Sequence, residues 1–442
     1  MQDVGKAGVL SLNNLTYQLA PDLSVAITRT VTSQFFQSQT HAPGSSGICI
    51  FNTGSSFVNG KESFLVLDVQ NLSRTAAGEA TNAWFGAYGG SAANFINSIT
   101  ILSRSGTVLE KIDRANQLAS IKALYRHDDG WRRFGPGSAM GMSSADTPVD
   151  DLKWGGANTA GTVKVPGDVI RFVIPLGHIS PLFDSVDTLL PCQLCSGLRF
   201  EIIFETAKSA LVGKVATDVM SYQILGTRIQ TESYLLSDLV MRSLSEQSAS
   251  AGLEIVGKTY HNSFGSRANS NLNLDMGKSC SRALSFVLKE RPSTVNLTST
   301  DSRFQSMLLN SDSHIDEFQA RVGSLYFPMS SIRAGAAGAR GSSPELYVTA
   351  LRAHGKFYQD QGVCTGVSET QYREGHAVFS QDLERSSIQQ LSGIPLSQSR
   401  TLSVNASWGG DVPIPTKSTE IDFYLCFVCL IRVFSSNSVI EI

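Results

Sequence analysis

Charge is what this chain has least of. Lys, Arg, Asp and Glu make up 17% of its 442 residues and nearly cancel, to −2, where soluble domains usually carry about 25%. A surface so poor in charge suits coverage by partners. No basic run exists to condense nucleic acid. The first forty residues hold only Lys6 and Arg29 against Asp3 and Asp22, so an electrostatic nucleic-acid arm is excluded. Long hydrophobic runs are missing too. Phe423 to Ile431, closed by Arg432, falls well short of the roughly 20 residues a membrane helix needs. Met1-Gln-Asp-Val-Gly-Lys6 has no apolar core behind a basic start, so no signal peptide is expected. Cysteines are sparse and odd in number: Cys49, Cys192, Cys195, Cys280, Cys364, Cys426 and Cys429. They read as reduced thiols made in a cytoplasm. The sequons at Asn14, Asn71, Asn296 and Asn405 are then expected to stay unmodified.

Catalytic patterns are absent as well. Gly277-Lys278-Ser279 has the end of a phosphate loop, but Leu272 stands where a Gly is required and no strand-to-helix context surrounds it. In Gly135-Pro-Gly137-Ser-Ala-Met-Gly141, Met140 replaces the third Gly of a dinucleotide fingerprint. Cys192-Gln-Leu-Cys195 and Cys426-Phe-Val-Cys429 together have zinc-ligand types. The second pair lies within a strand, where residues three apart face opposite sides, so buried structural thiols are the better reading. The seven histidines (His41, His127, His178, His261, His314, His354, His376) show no metal spacing. His127-Asp128-Asp129 fits a polar cluster at a helix end. Arg126, Arg132 and Arg133 around Trp131 fit ion pairs within an assembly better than nucleic-acid contacts. No catalytic, cofactor-binding or metal residue is assigned, and the chain reads as a non-enzyme.

What is there is organised around Phe95 to Arg126. Ile99 and Ile101 alternate with Ser98, Thr100 and Leu102, the period of a strand with one buried face. Ser105-Gly106 signals a hairpin turn. Val108, Glu110 and Ile112 alternate with Thr107, Leu109 and Lys111. Asp113 is then expected to cap a helix with Leu118, Ile121, Leu124 and Tyr125 on one face. Such a helix must lie against a sheet. The plan recurs: a strand-like run Phe318 to Phe327 ended by Pro328, a loop with Gly335, Gly338 and Gly341, then a helix opened by Ser343-Pro344-Glu345 with Leu346, Ala350 and Leu351 apolar. Strand, loop and helix occurring twice, half a chain apart, suggest two similar domains.

The rest of the chain divides accordingly. Residues 1–45 read as an extended arm. A first domain, 46–234, has strands at Ile48–Phe51, Phe64–Val69, Val169–Ile174, Leu198–Glu205 and Tyr222–Ile229. In the fourth of these, Leu198, Phe200, Ile202 and Phe204 point inward and Arg199, Glu201 and Glu205 outward. Residues 127–165 form a long loop carrying Trp131 and Trp154, and such loops usually have a task. Leu235–Leu244 has helical spacing, and 235–252 is a linker with Glu246–Gly252 at the boundary. The second domain, 253–434, has strands at Ile255–Tyr260, Leu284–Leu288, Phe318–Phe327, Ala377–Phe379, Leu402–Ser407 and Ile421–Val433, with loops at 292–316 and 360–373. A tail follows, 435–442. The fold class is all-β: two tandem eight-stranded jelly-roll β-sandwiches with short inserted helices.

At Phe64-Leu-Val-Leu-Asp-Val-Gln-Asn71, Phe95–Arg126, Leu189-Leu-Pro-Cys-Gln-Leu-Cys-Ser-Gly-Leu-Arg-Phe-Glu-Ile-Ile203, Ser281–Leu288 and Phe318–Pro328, the chain resembles double jelly-roll major capsid proteins of double-stranded DNA viruses. The resemblance runs from about 46 to 435 and is nearest to the polinton-like virus and adintovirus group. It implies a homotrimer forming a pseudohexameric capsomer that tiles an icosahedral virion shell. It also implies synthesis and assembly inside a host cell, penton and minor capsid proteins as partners, no cofactor, and little direct nucleic-acid binding. The contact segments would be the arm, 127–165, 292–316 and the tail from Ser435. The alternative is a carbohydrate-binding tandem sandwich or virion spike protein, with Trp131, Trp154 and Trp408 as stacking platforms. A sandwich-based glycosidase is the third reading, since carboxylate pairs such as Asp128 and Asp129 exist, though sequence cannot place two across a cleft.

Overall fold

The structure is a computed structural model. It describes residues 26–79, 81, 83–85, 90–142, 169–186, 188–213, 215–266, 271–292, 317–333, 343–355, 366–372, 376–385, 392–407, 419–434 and 439–441. The eight main strands of the first half are β1 (Ala26–Phe35), β2 (Ser46–Ile50), β3 (Phe57–Asn71), β4 (Ile96–Leu102), β5 (Val108–Ile112), β6 (Val169–Pro175), β7 (Arg199–Phe204) and β8 (Tyr222–Leu236). Those of the second are β9 (Leu253–Ser266), β10 (Asn271–Met276), β11 (Cys280–Pro292), β12 (Glu317–Val322), β13 (Leu325–Arg333), β14 (Phe379–Asp382), β15 (Leu402–Ser407) and β16 (Thr419–Val433).

The first half forms two four-stranded antiparallel sheets, ordered β1-β8-β3-β6 and β2-β7-β4-β5. Adding eight to each label gives the strand order of the second half, β9-β16-β11-β14 and β10-β15-β12-β13, the former enlarged to six strands by Ile394–Leu396 on β11 and Val439–Glu441 on β16. Chain order swaps sheets at successive strands except at the hairpins β4–β5 and β12–β13. That is jelly-roll wiring, written twice. The period-2 pattern builds each core: Leu65, Leu67, Val69 and Ile224 of one sheet and Ile99, Ile101, Phe200 and Ile202 of the other are buried in one cluster. Phe95 joins the layers, its ring 4.5 Å from Tyr222 and 6.4 Å from Phe172.

The connection from fifth to sixth strand carries a helix in both halves: α1 (Ala115–Tyr125) and, after the linker helix α2 (Asp238–Ser250), α3 (Ser343–Ala353). The hairpin before α1 turns at Gly106, whose φ of +86° only Gly adopts freely.

Several expectations change. Asp113 does not cap α1. The cap position is Arg114, in left-handed conformation with no side-chain cap bond, and Asp113 pairs instead with Lys111 at 3.5 Å. Helix α1 buries every one of its residues, not one face. Phe318–Phe327 is a hairpin, not one strand. Gly323, at φ +61°, makes the turn, and β13 runs through Pro328 to Arg333. Pro is tolerated there because β13 is an edge strand whose pairing with β12 shifts register at that point. Gln319 Nε2 donates to the carbonyls of Pro328 and Met329, at 3.2 Å each. Glu205 is buried, not outward. It accepts from Asn116 Nδ2 at 2.9 Å and from the Thr206 N–H at 2.9 Å. Residues 26–35, inside the stretch read as an arm, pair with β8 as β1. Strand β8 extends to Leu236, so the linker helix starts at Asp238 and continues through Glu246 to Ser250. In the tail, Val439–Glu441 pairs with Ile431–Val433. Loop 127–165 holds short helices at Asp129–Phe134 and Pro136–Ala139. Residues 143–165, with Trp154, and Trp408, Cys364 and residues 293–316 lie outside the described residues.

Candidate functional site

Buried charged side chains gather at the seam between the two sandwiches. Strand β16 is buried on both faces from Ile421 to Cys429, while its counterpart β8 alternates. The reason is α1, which lies on the outer face of the sheet β9-β16-β11-β14. A strand covered on both sides reads as a continuous apolar run, yet this one contains Asp422.

Asp422 is fully buried between two guanidinium groups. Arg114 Nη1 reaches it at 2.5 Å and Arg291 Nε at 2.5 Å. Glu420 receives Arg114 at 3.1 Å and Arg291 at 2.5 Å. Tyr424 donates to the Arg114 carbonyl at 2.9 Å, and the Arg114 guanidinium lies 4.1 Å from the Phe264 ring centroid. The left-handed conformation at Arg114 thus places its side chain and carbonyl on the second sandwich. Lys289, on β11, donates to Ser120 Oγ at 3.1 Å. Burial brings its pKa down to about 7, against the attraction of Asp422.

At the edge of β9, Glu110 accepts from Ser180 Oγ, from Thr259 Oγ1 at 2.8 Å and from the Leu182 N–H at 3.0 Å. Burial pushes its pKa up to about 7 despite these donors. Ser185 Oγ accepts from the Lys258 N–H at 2.6 Å and donates to its carbonyl at 3.2 Å, satisfying edge groups of β9. Tyr125 donates to the His376 carbonyl and stacks on His354 at 5.0 Å. Burial holds these histidines low, at about 4 and about 3.

The motif residues fall into structural roles. Asp128 caps the helix Asp129–Phe134 by accepting from the Trp131 N–H at 2.7 Å. Asp129 pairs with Arg132 and Arg133. Arg126 pairs with Asp184 at 3.0 Å, and buried Arg132 donates to the Gly366 carbonyl at 3.0 Å. These arginines are engaged inside the chain. Trp131 is half-buried, with one ring face stacked on His127 at 3.7 Å. It borders a cleft of about 460 Å³ also lined by Lys122, His178, Asp184, Phe64 and Val173. Gly277–Ser279 links β10 to β11, strand to strand. Cys192 and Cys195 sit on one helical turn of the first sandwich, Cys426 and Cys429 on opposite faces of β16, and none of the four is in a disulfide. Among the described residues no group of three His, Cys, Asp or Glu side chains is placed to hold a metal ion, and no helix is long and apolar enough to cross a membrane.

Sequence reading missed the seam. Its signals are charges set beside apolar strand residues: Glu110 after Val108-Leu109, Lys289 and Arg291 after Phe286-Val-Leu288, and Asp422 between Ile421 and Phe423.

No protein-family model and no curated protein sequence matches the chain. Solved structures do. The PBCV-1 virus capsid aligns at 10% identity over 96% of this chain and 99% of that one, with a TM-score of 0.61. The Sputnik virophage structure aligns at 11% identity, over 95% and 89%, with a TM-score of 0.61. The mavirus major capsid protein aligns at 9% identity, over 97% and 92%, with a TM-score of 0.54. The chain therefore has the double jelly-roll fold, and the neighbours that share it over both sandwiches are viral capsid proteins.

Proposed function

We propose that this chain is a viral major capsid protein: a shell-forming structural protein with no catalytic site. The observation that carries the reading is the likeness to capsid proteins across both sandwiches and the connection between them. The fused pair of sandwiches supports a homotrimer whose six jelly rolls outline a pseudohexagon and tile an icosahedral virion shell, since two like units per chain let three chains close as a ring of six. The units would be a first jelly roll from 26 to 236 and a second from 253 to 434, joined by α2, with penton and minor capsid proteins as partners made in the same host cell. Scarce charge at the N-terminus is consistent with little direct genome binding. The glycan-binding alternative loses support from Trp131, one face of which is covered by His127. Negative-stain microscopy of the purified chain tests the proposal. Hexagonal discs or closed shells are expected; dispersed two-lobed single chains would refute it.

A further inference from the structure

The cleft beside Trp131, about 460 Å³ in volume, has the size of an ordinary small-molecule site. Four parts of the first sandwich wall it: Phe64 on β3, Val173 on β6, Lys122 on α1, and the two short helices that carry Trp131 and Pro136. The wall is mainly apolar and partly aromatic. His178 belongs to it as well and is only 4% exposed. Among the described residues neither of its ring nitrogens has a hydrogen-bond partner. Burying a polar group in that way is costly. In a cleft wall such a group is available to a ligand.

Lys122 brings a charge to the same wall. Its side chain is 3% exposed. Its Nζ donates to the Gly177 carbonyl at 2.5 Å and reaches Asp184 at 3.2 Å. An ammonium has three N–H groups, so one remains. Gly177 precedes His178 in the chain, which makes the two side chains neighbours. Asp184 also takes Arg126 at 3.0 Å, so two cations share one carboxylate. Glu110 acts on Lys122 too, but with a pKa of about 7 it is only part ionised at neutral pH. Lys61 and Glu62, also in the lining, offset each other. Burial, helped by Lys122 and His127, keeps the His178 ring neutral, so one nitrogen donates and the other accepts. The surplus charge in the wall is therefore positive.

We propose that this cleft binds a small aromatic carboxylate, whose ring packs among Trp131, Phe64 and Val173 and whose carboxylate accepts from Lys122 and from one ring nitrogen of His178. An anion suits the surplus positive charge. A flat apolar body suits a wall made of rings and of Pro136 and Pro175. A cation would face Lys122 and Arg126. A wholly apolar molecule would cover Lys122 and His178 without giving either a partner. The site lies within one chain, so it does not depend on assembly.

The test titrates the full chain with naphthalene carboxylate, followed by ligand-observed NMR, with the neutral naphthalene carboxamide as control. For a probe of this size the carboxylate should bind with a Kd of about 1 mM. The carboxamide should bind roughly tenfold more weakly, having no charge to offer Lys122. Lys122→Met should weaken the carboxylate by the same factor and leave the carboxamide unchanged. Ala139 is exposed and lines the cleft, so Ala139→Trp should fill the space and abolish binding of both probes. That variant removes no buried charge, and with the carboxamide control it decides the matter if Lys122→Met fails to fold. No carboxylate binding at ten times the expected Kd overturns the proposal. So does equal affinity for the two probes, or binding that survives Ala139→Trp.

Discussion

Arg114 and Asp422 are 308 positions apart, and their charged groups meet at 2.5 Å. One stands at the start of the helix in the first sandwich, the other in the central strand of the second. With Arg291 and Glu420 they form a four-charge cluster at the seam. A buried carboxylate between two guanidinium groups keeps its place only while both partners are present.

Asp422→Asn should therefore leave Arg114 and Arg291 facing each other without the charge between them. The expected loss is about 3–5 kcal/mol, read as a lower denaturant midpoint. A midpoint within error of the parent would show that the cluster does not hold the sandwiches together.

Glu110 gives a pH dependence of known sign. Its folded pKa, about 7, lies above the ordinary 4.5. Its contribution to stability is thus complete below 4.5 and lost as pH rises through 7. Glu110→Gln removes that titration, so the variant's stability should vary less between pH 4.5 and 7 than the parent's. Parallel curves would contradict the assignment.

Lys289 runs the other way. Its folded pKa, about 7, lies below the ordinary 10.5, so its contribution is complete above 10.5 and lost as pH falls through 7. Lys289→Met should flatten the curve between 7 and 10.5 and raise stability at neutral pH, because no charge is then buried. A less stable variant at pH 7 would mean that the Ser120 contact outweighs the cost of burying the ammonium.

Truncation tests the pairing of the first strand. Removing residues 1–40 takes away β1 and its pairing with β8, and should lower the unfolding midpoint by several degrees. A midpoint equal to that of the full chain would show that β1 adds nothing to the first sandwich.

Local patterning was legible because it needs no distant partner. Phe200, Ile202 and Phe204 alternate with Arg199 and Glu201, and the turn at Gly106 lies where Ser105-Gly106 signals it. The repeated helix after the fifth strand was legible for the same reason. The seam was not, since Glu110, Arg114, Lys289 and Asp422 look like ordinary surface charges until strands hundreds of residues apart are paired. The same limit hid β1, whose partner β8 lies some 200 positions on. The reading of Pro328 as a stop failed because an edge strand with a register shift has no use for that N–H.

Self-assembly is the central claim, and the mass of the chain in solution tests it most directly. Light scattering across a concentration series should give three chain masses, or larger closed assemblies built from that unit. A constant mass of one chain at every concentration would contradict the account.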